Sequence, residues 1–114
     1  IMVDDIIDSG GTACKAAEIL KENGANKIYF MACHGLLSKN ALENIKKSCF
    51  EKVIITNTVP HTAETLAHPQ IDIIDVSWIC SEAIRRQQEG NSLKILYDNP
   101  DYFRSFNGAI NIIS

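Results

Sequence analysis

The chain has 114 residues, 46% hydrophobic and 22% charged, a balance that excludes a disordered, fibrous or low-complexity protein and fits one ordinary globular domain. Its net charge of −3 excludes an electrostatic grip on nucleic acid, which needs a basic stripe to displace phosphate counterions. No apolar run reaches bilayer-spanning length and the first residues lack a signal-peptide layout, so no membrane partner is expected.

Ile1-Met2-Val3 passes directly into Asp4-Asp5 and reads as the end of a buried strand, as expected for a piece of a longer protein. A helix follows, with Ala13, Ala16, Ala17 and Leu20 at the spacing of one face. Gly24 is suited to the left-handed conformation that closes a helix, and Lys21 sits near the negative end. The continuous apolar run Ile28-Tyr29-Phe30-Met31-Ala32-Cys33 predicts a strand covered on both faces and ended by His34-Gly35. Ser38 is placed to cap a short helix bearing Leu42, Ile45 and Cys49, and Val53 to Thr56 forms the next buried strand. A loop punctuated by Pro60 and Pro69 runs from Asn57 to Gln70, and Ile71 to Asp75 reads as another strand. Val76, Ile79, Cys80, Ala83 and Ile84 then mark an amphipathic helix ended by Gly90, and Leu93 to Tyr97 reads as a last short strand. This alternation predicts an α/β fold, an open, mainly parallel sheet with right-handed crossovers and helices on both faces. Cys14, Cys33, Cys49 and Cys80 form no Cys-x-x-Cys pair, so free, mostly buried thiols in a reducing compartment are expected, with no zinc site.

In such sheets ligands bind beyond the carboxyl ends of the strands. Asp8-Ser9-Gly10-Gly11-Thr12 lies there, between the first strand and first helix. Two glycines let the backbone bend so that several N–H groups share one concavity at a helix amino terminus, an anion cradle to which the Ser9 and Thr12 hydroxyls add donors. The segment lacks the lysine of a nucleotide P-loop. The adjacent carboxylates of Asp4 and Asp5 are strong acceptors for a vicinal pair of hydroxyls. Hydroxyls at one end and phosphate at the other describe a pentose phosphate.

The whole segment, residues 3–12, resembles the phosphoribosyl pyrophosphate signature of the type I phosphoribosyltransferase fold, with Ser9 in place of the usual threonine. Within that fold the chain resembles the carboxy-terminal portion of a ribose-phosphate pyrophosphokinase over residues 1 to about 97, leaving 98–114 as a tail of unassigned role. His34-Gly35-Leu36-Leu37-Ser38, Thr56-Asn57-Thr58-Val59-Pro60, Ile71-Asp72-Ile73-Ile74-Asp75-Val76-Ser77 and Glu82-Ala83-Ile84-Arg85-Arg86 carry the likeness. The resemblance implies that Asp4 and Asp5 hold the ribose hydroxyls while Asp8, Ser9, Gly10, Gly11 and Thr12 bind the 5-phosphate. It implies transfer of pyrophosphate from ATP to ribose 5-phosphate, with magnesium neutralising the phosphates, in a cytoplasmic homo-oligomer. The family's ATP-binding elements, magnesium ligands and catalytic loop precede the signature. This chain starts at the signature, so a catalytically inactive fragment is expected. A phosphoribosyltransferase using the same loop would carry a base-binding hood, and none is recognisable. A regulatory homologue assembling with active subunits would be favoured by a degraded Asp-Asp or Gly-Gly, and both pairs are intact.

Among smaller candidates, His34 reads as a strand-edge residue, His61 and His68 as solvated, and Arg85-Arg86 as cations complementing a helix dipole. Gly90-Asn91-Ser92-Leu93-Lys94 resembles a loop that helps bind regulatory phosphate or ADP in some family members, which makes Ser92 a regulatory candidate. Tyr102, Phe103 and Phe106 suggest only local packing.

Overall fold

A computed structural model describes residues 1–99, 102, 112 and 113. They belong to two compact units, Ile1–Ile74 with Ile112–Ser114, and Asp75–Asn111.

The first unit alternates strand and helix: β1 (Met2–Ile7), α1 (Gly11–Glu22), β2 (Ile28–Gly35), α2 (Ala41–Lys47), β3 (Phe50–Thr56), α3 (Ala63–Leu66) and β4 (Ile71–Ile74). The strands pair in sequence order, β1 to β4 in parallel, and β5 (Ile112–Ile113) adds antiparallel to β4. The open, mainly parallel α/β sheet read from the sequence is the architecture found. Because the order never reverses, successive right-handed crossovers fall on the same face of the first unit's sheet, not on both faces as the sequence suggested. Ala17 of α1 and Ile45 of α2 accordingly share one core with Phe30, Val53, Ile55, Ile71 and Ile73. Phe30 and Phe50 lie with ring centroids 5.7 Å apart and tilted, a favourable aromatic arrangement.

Burial along β2 alternates rather than covering both faces: Phe30 and Ala32 are buried, Met31 and Cys33 exposed. The uninterrupted apolar run concealed this period because its outward residues are apolar too. On the second face Val3, Met31, Cys33, Ile54 and Ile74 line a shallow, mostly apolar cleft of about 180 Å³.

Local signals set the element ends. Gly24 takes φ +92°, its N–H donates to the Lys21 carbonyl and the Ala25 N–H to the Leu20 carbonyl, the doubly bonded stop that a left-handed glycine permits. At α2 the cap position falls on Asn40 rather than Ser38, whose carbonyl instead accepts from the Ala41 N–H. The segment 57–70 is not all loop: Thr62 caps α3 by accepting from the Thr65 N–H at 3.2 Å.

The second unit holds α4 (Ser77–Gln88) and α5 (Ile95–Asp98). Leu93 to Tyr97 is therefore a turn running into α5, not a strand; Ser92 Oγ accepts from the Lys94 N–H and Lys94 pairs with Asp98 one turn on, contacts that favour a helical turn. On α4 the expected apolar stripe is displaced. Cys80 and Ile84 are exposed, whereas Glu82 is buried at 6% exposure. The carboxylate of Glu82 accepts from the Tyr102 hydroxyl at 2.5 Å and from two nitrogens of Arg85 at 2.8 Å, with Arg86 at 3.6 Å. Arg86 also donates to the Tyr102 hydroxyl and lies over its ring. Phe103 and Phe106 lie outside the described residues.

The hydrogen bonds from Arg85 and then Tyr102 hold the Glu82 carboxyl at about 2, below its ordinary 4.5. A depressed carboxyl stabilises the folded form above its unfolded pKa, and this contribution is lost as pH falls from about 4.5 towards 2. The emission of Trp78, the sole tryptophan and a residue of α4, should therefore report a loosening of this unit across that window. The step should vanish in Glu82→Gln; an unchanged step would assign it to other carboxyls.

Candidate functional site

The loop from Asp8 to Gly10 joins the carboxyl end of β1 to α1. Gly10 is the N-cap residue at φ +74°, ψ −5°, a left-handed conformation that side-chain-bearing residues enter at a cost. A Cβ there would stand 3.9 Å from Ile7 Cδ1 and 4.0 Å from Cys14 Sγ and Ile45 Cγ1, so conformation rather than space requires the glycine. The Gly10 carbonyl accepts from the Cys14 N–H at 2.9 Å and starts the helical ladder. No side chain caps this end, and the first N–H groups of a helix have no partner within it. They carry the positive end of the dipole of a 12-residue helix.

Asp4, Asp8, Ser9, Gly10, Gly11 and Thr12 line one cleft of about 340 Å³, with Met2, Ile6, Ala13, Ala16 and Phe30 among its walls. Donors thus lie at one end and a carboxylate at the other, over an apolar floor. Asp5 is absent from this lining. Neighbouring side chains on a strand point to opposite faces, and the Asp5 N–H donates to Asp4 Oδ1 at 2.9 Å. The structure therefore gathers six of the seven residues singled out from sequence in one cleft, and Asp5 is not among them.

Asn44 of α2, unnoticed in the sequence, donates from Nδ2 to the Ser9 carbonyl at 2.9 Å. Beside it Cys14 Sγ lies 3.7 Å from the Asn44 carbonyl, and burial, followed by the nearby Glu18 charge, pushes the Cys14 thiol pKa up, which disfavours the nucleophilic thiolate. All four cysteines are free, but Cys33 and Cys80 are exposed and the other two only partly buried.

His61 and His68 are bonded rather than solvated, and His34, exposed at the strand edge, is bonded too. His34 Nδ1 lies 2.8 Å from Thr58 Oγ1, and His61 Nε2 lies 2.9 Å from the Thr56 carbonyl. His68 Nδ1 accepts from the Gln70 N–H, which leaves its Nε2–H to donate to the Leu42 carbonyl at 3.2 Å. Such side-chain-to-backbone bonds across 26 residues leave no periodic trace in a sequence. A second cleft of about 350 Å³ opens between Leu36–Glu43 and Pro60–Thr65. In the second unit, Ser92 Oγ is engaged by the Lys94 N–H and its carbonyl by Arg86 Nε, and Arg85 pairs with Glu82 and Glu89. Among the described residues no three His, Cys, Asp or Glu side chains converge to hold a metal ion.

An open, mainly parallel α/β sheet with a glycine-bent loop between its first strand and first helix is the architecture of the α/β domains that take ligands beyond the carboxyl ends of their strands. Residues 1–98 match the family described as phosphoribosyl synthetase-associated domain, and the chain belongs to that family. It is 50% identical over 99 residues to phosphoribosyl pyrophosphate synthase-associated protein 2 of Homo sapiens, covering 87% of this chain and 27% of that protein. Ribose-phosphate pyrophosphokinase 5 of Schizosaccharomyces pombe is 48% identical over the same length, covering 87% and 28%. The phosphoribosylpyrophosphate synthetase of Mycobacterium smegmatis superposes with a TM-score of 0.74 at 34% identity, over 78% of this chain and 30% of that one. The chain thus spans little more than a quarter of the curated relatives it matches.

Proposed function

We propose that this chain is the ribose 5-phosphate-binding part of a cytoplasmic ribose-phosphate diphosphokinase, an enzyme that transfers pyrophosphate from ATP to ribose 5-phosphate. The observation that carries the reading is the single cleft in which the Asp8–Thr12 loop and Asp4 converge. The loop N–H groups and the Ser9 and Thr12 hydroxyls take the phosphate, and Asp4 accepts from a ribose hydroxyl. Asp5 does not line the cleft, so its share in binding depends on a ligand that reaches beyond that lining. Positioning and charge stabilisation dominate phosphoryl-type transfer. Magnesium supplies charge neutralisation when bound with ATP, through ligands that the family carries in preceding segments. Homo-oligomeric assembly belongs to the same reading.

Isothermal titration of the 114-residue chain with ribose 5-phosphate should give saturable binding, weaker for ribose or inorganic phosphate alone. Incubation with ATP, magnesium and ribose 5-phosphate should give no phosphoribosyl pyrophosphate. A folded sample that ignores ribose 5-phosphate would overturn the site, and product formation would overturn the division of labour.

Several relatives are synthase-associated proteins, which supports a second reading, a subunit that acts through assembly with active subunits. Intact Asp4-Asp5 and Gly10-Gly11 weigh against it. Co-purification with a pyrophosphokinase by a chain that binds no ribose 5-phosphate would favour it.

A further inference from the structure

We infer that Asn44 is a positioning residue for the phosphate end of the cleft, acting through the Ser9–Gly10 peptide; this rests on the ribose 5-phosphate reading. Asn44 does not line the cleft and touches no ligand position. It is half-buried on α2, 35 residues from its partner, and its Nδ2 donates to the Ser9 carbonyl at 2.9 Å. A trans peptide is planar, so its carbonyl and its N–H point in opposite directions. Holding the Ser9 oxygen against α2 therefore turns the Gly10 N–H away from α2.

The neighbouring peptide is fixed from the other side. The Gly10 carbonyl is committed to the Cys14 N–H, which aims the Gly11 N–H out of the helix end. The two successive N–H groups are thus set by two different anchors, α1 for Gly11 and Asn44 for Gly10. Glycine at φ +74° has no side chain to resist rotation of the Ser9–Gly10 peptide, so the bond from Asn44 is what restrains that unit. The anchor is itself held: the Asn44 N–H donates to the Asn40 carbonyl at 2.9 Å, and the next residue, Ile45, is fully buried. Asn44 thereby transmits the rigidity of the core to a peptide at the mouth of the cleft, where preorganised donors bind anions without reorganisation.

Two variants of the whole chain test this, Asn44→Leu, which keeps approximate volume without a donor, and Asn44→Asp, whose carboxyl donates only when protonated. The Gly10 amide is followed by NMR in ligand-free protein, and ribose 5-phosphate affinity by calorimetry. In both variants at pH 7 the Gly10 resonance should shift, its hydrogen exchange should quicken, and affinity should fall about three- to tenfold, the loss of one hydrogen bond. On acidification through the carboxyl range the Gly10 resonance of Asn44→Asp should return towards its wild-type position, while that of Asn44→Leu stays displaced; a merely structural role gives no such recovery. An unmoved Gly10 amide in a folded variant overturns the inference, as does unchanged affinity where the amide has moved. Absence of ribose 5-phosphate binding by the wild type would remove the ligand reading alone, since the ligand-free amide still reports whether Asn44 sets the peptide.

Discussion

Gly35→Ala should destabilise the first unit by about 1–3 kcal/mol, although alanine is ordinarily the better strand residue. A Cβ at this buried position would overlap Ile55 Cδ1 and stand 3.3 Å from Ile55 Cβ and Cγ2. Ile55 is fully buried in β3, so it has nowhere to swing. Reduced freedom of the unfolded chain returns only about 0.4–1 kcal/mol, so the overlap wins. The consequence reaches the site, because just beyond Gly35 the Leu36 and Leu37 N–H groups both donate to the Ile7 carbonyl, the last residue before the loop. Urea unfolding followed by circular dichroism measures the loss. Ile55→Val removes the overlapping methyl at a cost of about 0.5–1.5 kcal/mol, so the double variant should be more stable than the two single losses predict together. Additive losses would show that the close approach to Ile55 is not the cause.

Ile45→Ala should be the more damaging change, about 2–5 kcal/mol, against a total stability of about 5–15 kcal/mol for a typical domain. Ile45 is 0% exposed and belongs to the core beneath β2 and β3. Its side chain also lies against Gly10, 4.0 Å from where a Cβ would stand, so its truncation leaves a void under the loop as well as in the core. The same truncation at Ile19, on the exposed side of α1 at 60% exposure, should change stability by no more than about 0.5 kcal/mol. Comparable losses at the two sites in a thermal melt would refute the assignment of Ile45 to the core.

The sequence disclosed what depends on backbone conformation and local spacing. Gly24 was legible because a left-handed helix stop selects glycine, and the strand-helix alternation because apolar periodicity changes with the element. The loop residues 8–12 were legible for the same reason as Gly24, and the cleft brings them together with Asp4. That Asp5 does not join Asp4 in the cleft was hidden behind the chemical likeness of two adjacent carboxylates, although the two-residue period of a strand separates neighbours. Asn44 was illegible because its partner is a backbone carbonyl 35 residues away, and a backbone carbonyl has no sequence signature. The stripe of α4 was misjudged for a related reason. Glu82 is covered because Tyr102 and two arginines satisfy its charge, a gain no hydropathy pattern registers.

One consequence concerns crowding rather than ligand. β1 lies at the end of the strand order, with β2 its only strand partner among the described residues, so in a sample of the 114-residue chain its outer rim is open to a passing strand. Two copies meeting there antiparallel about Asp4, or about Asp5, would set that carboxylate directly against its counterpart on the other copy. Like charges face to face disfavour that zipper. Neutralising the acidic pair for a binding study should therefore be accompanied by a check of the sample by light scattering, with more association expected than for the wild type.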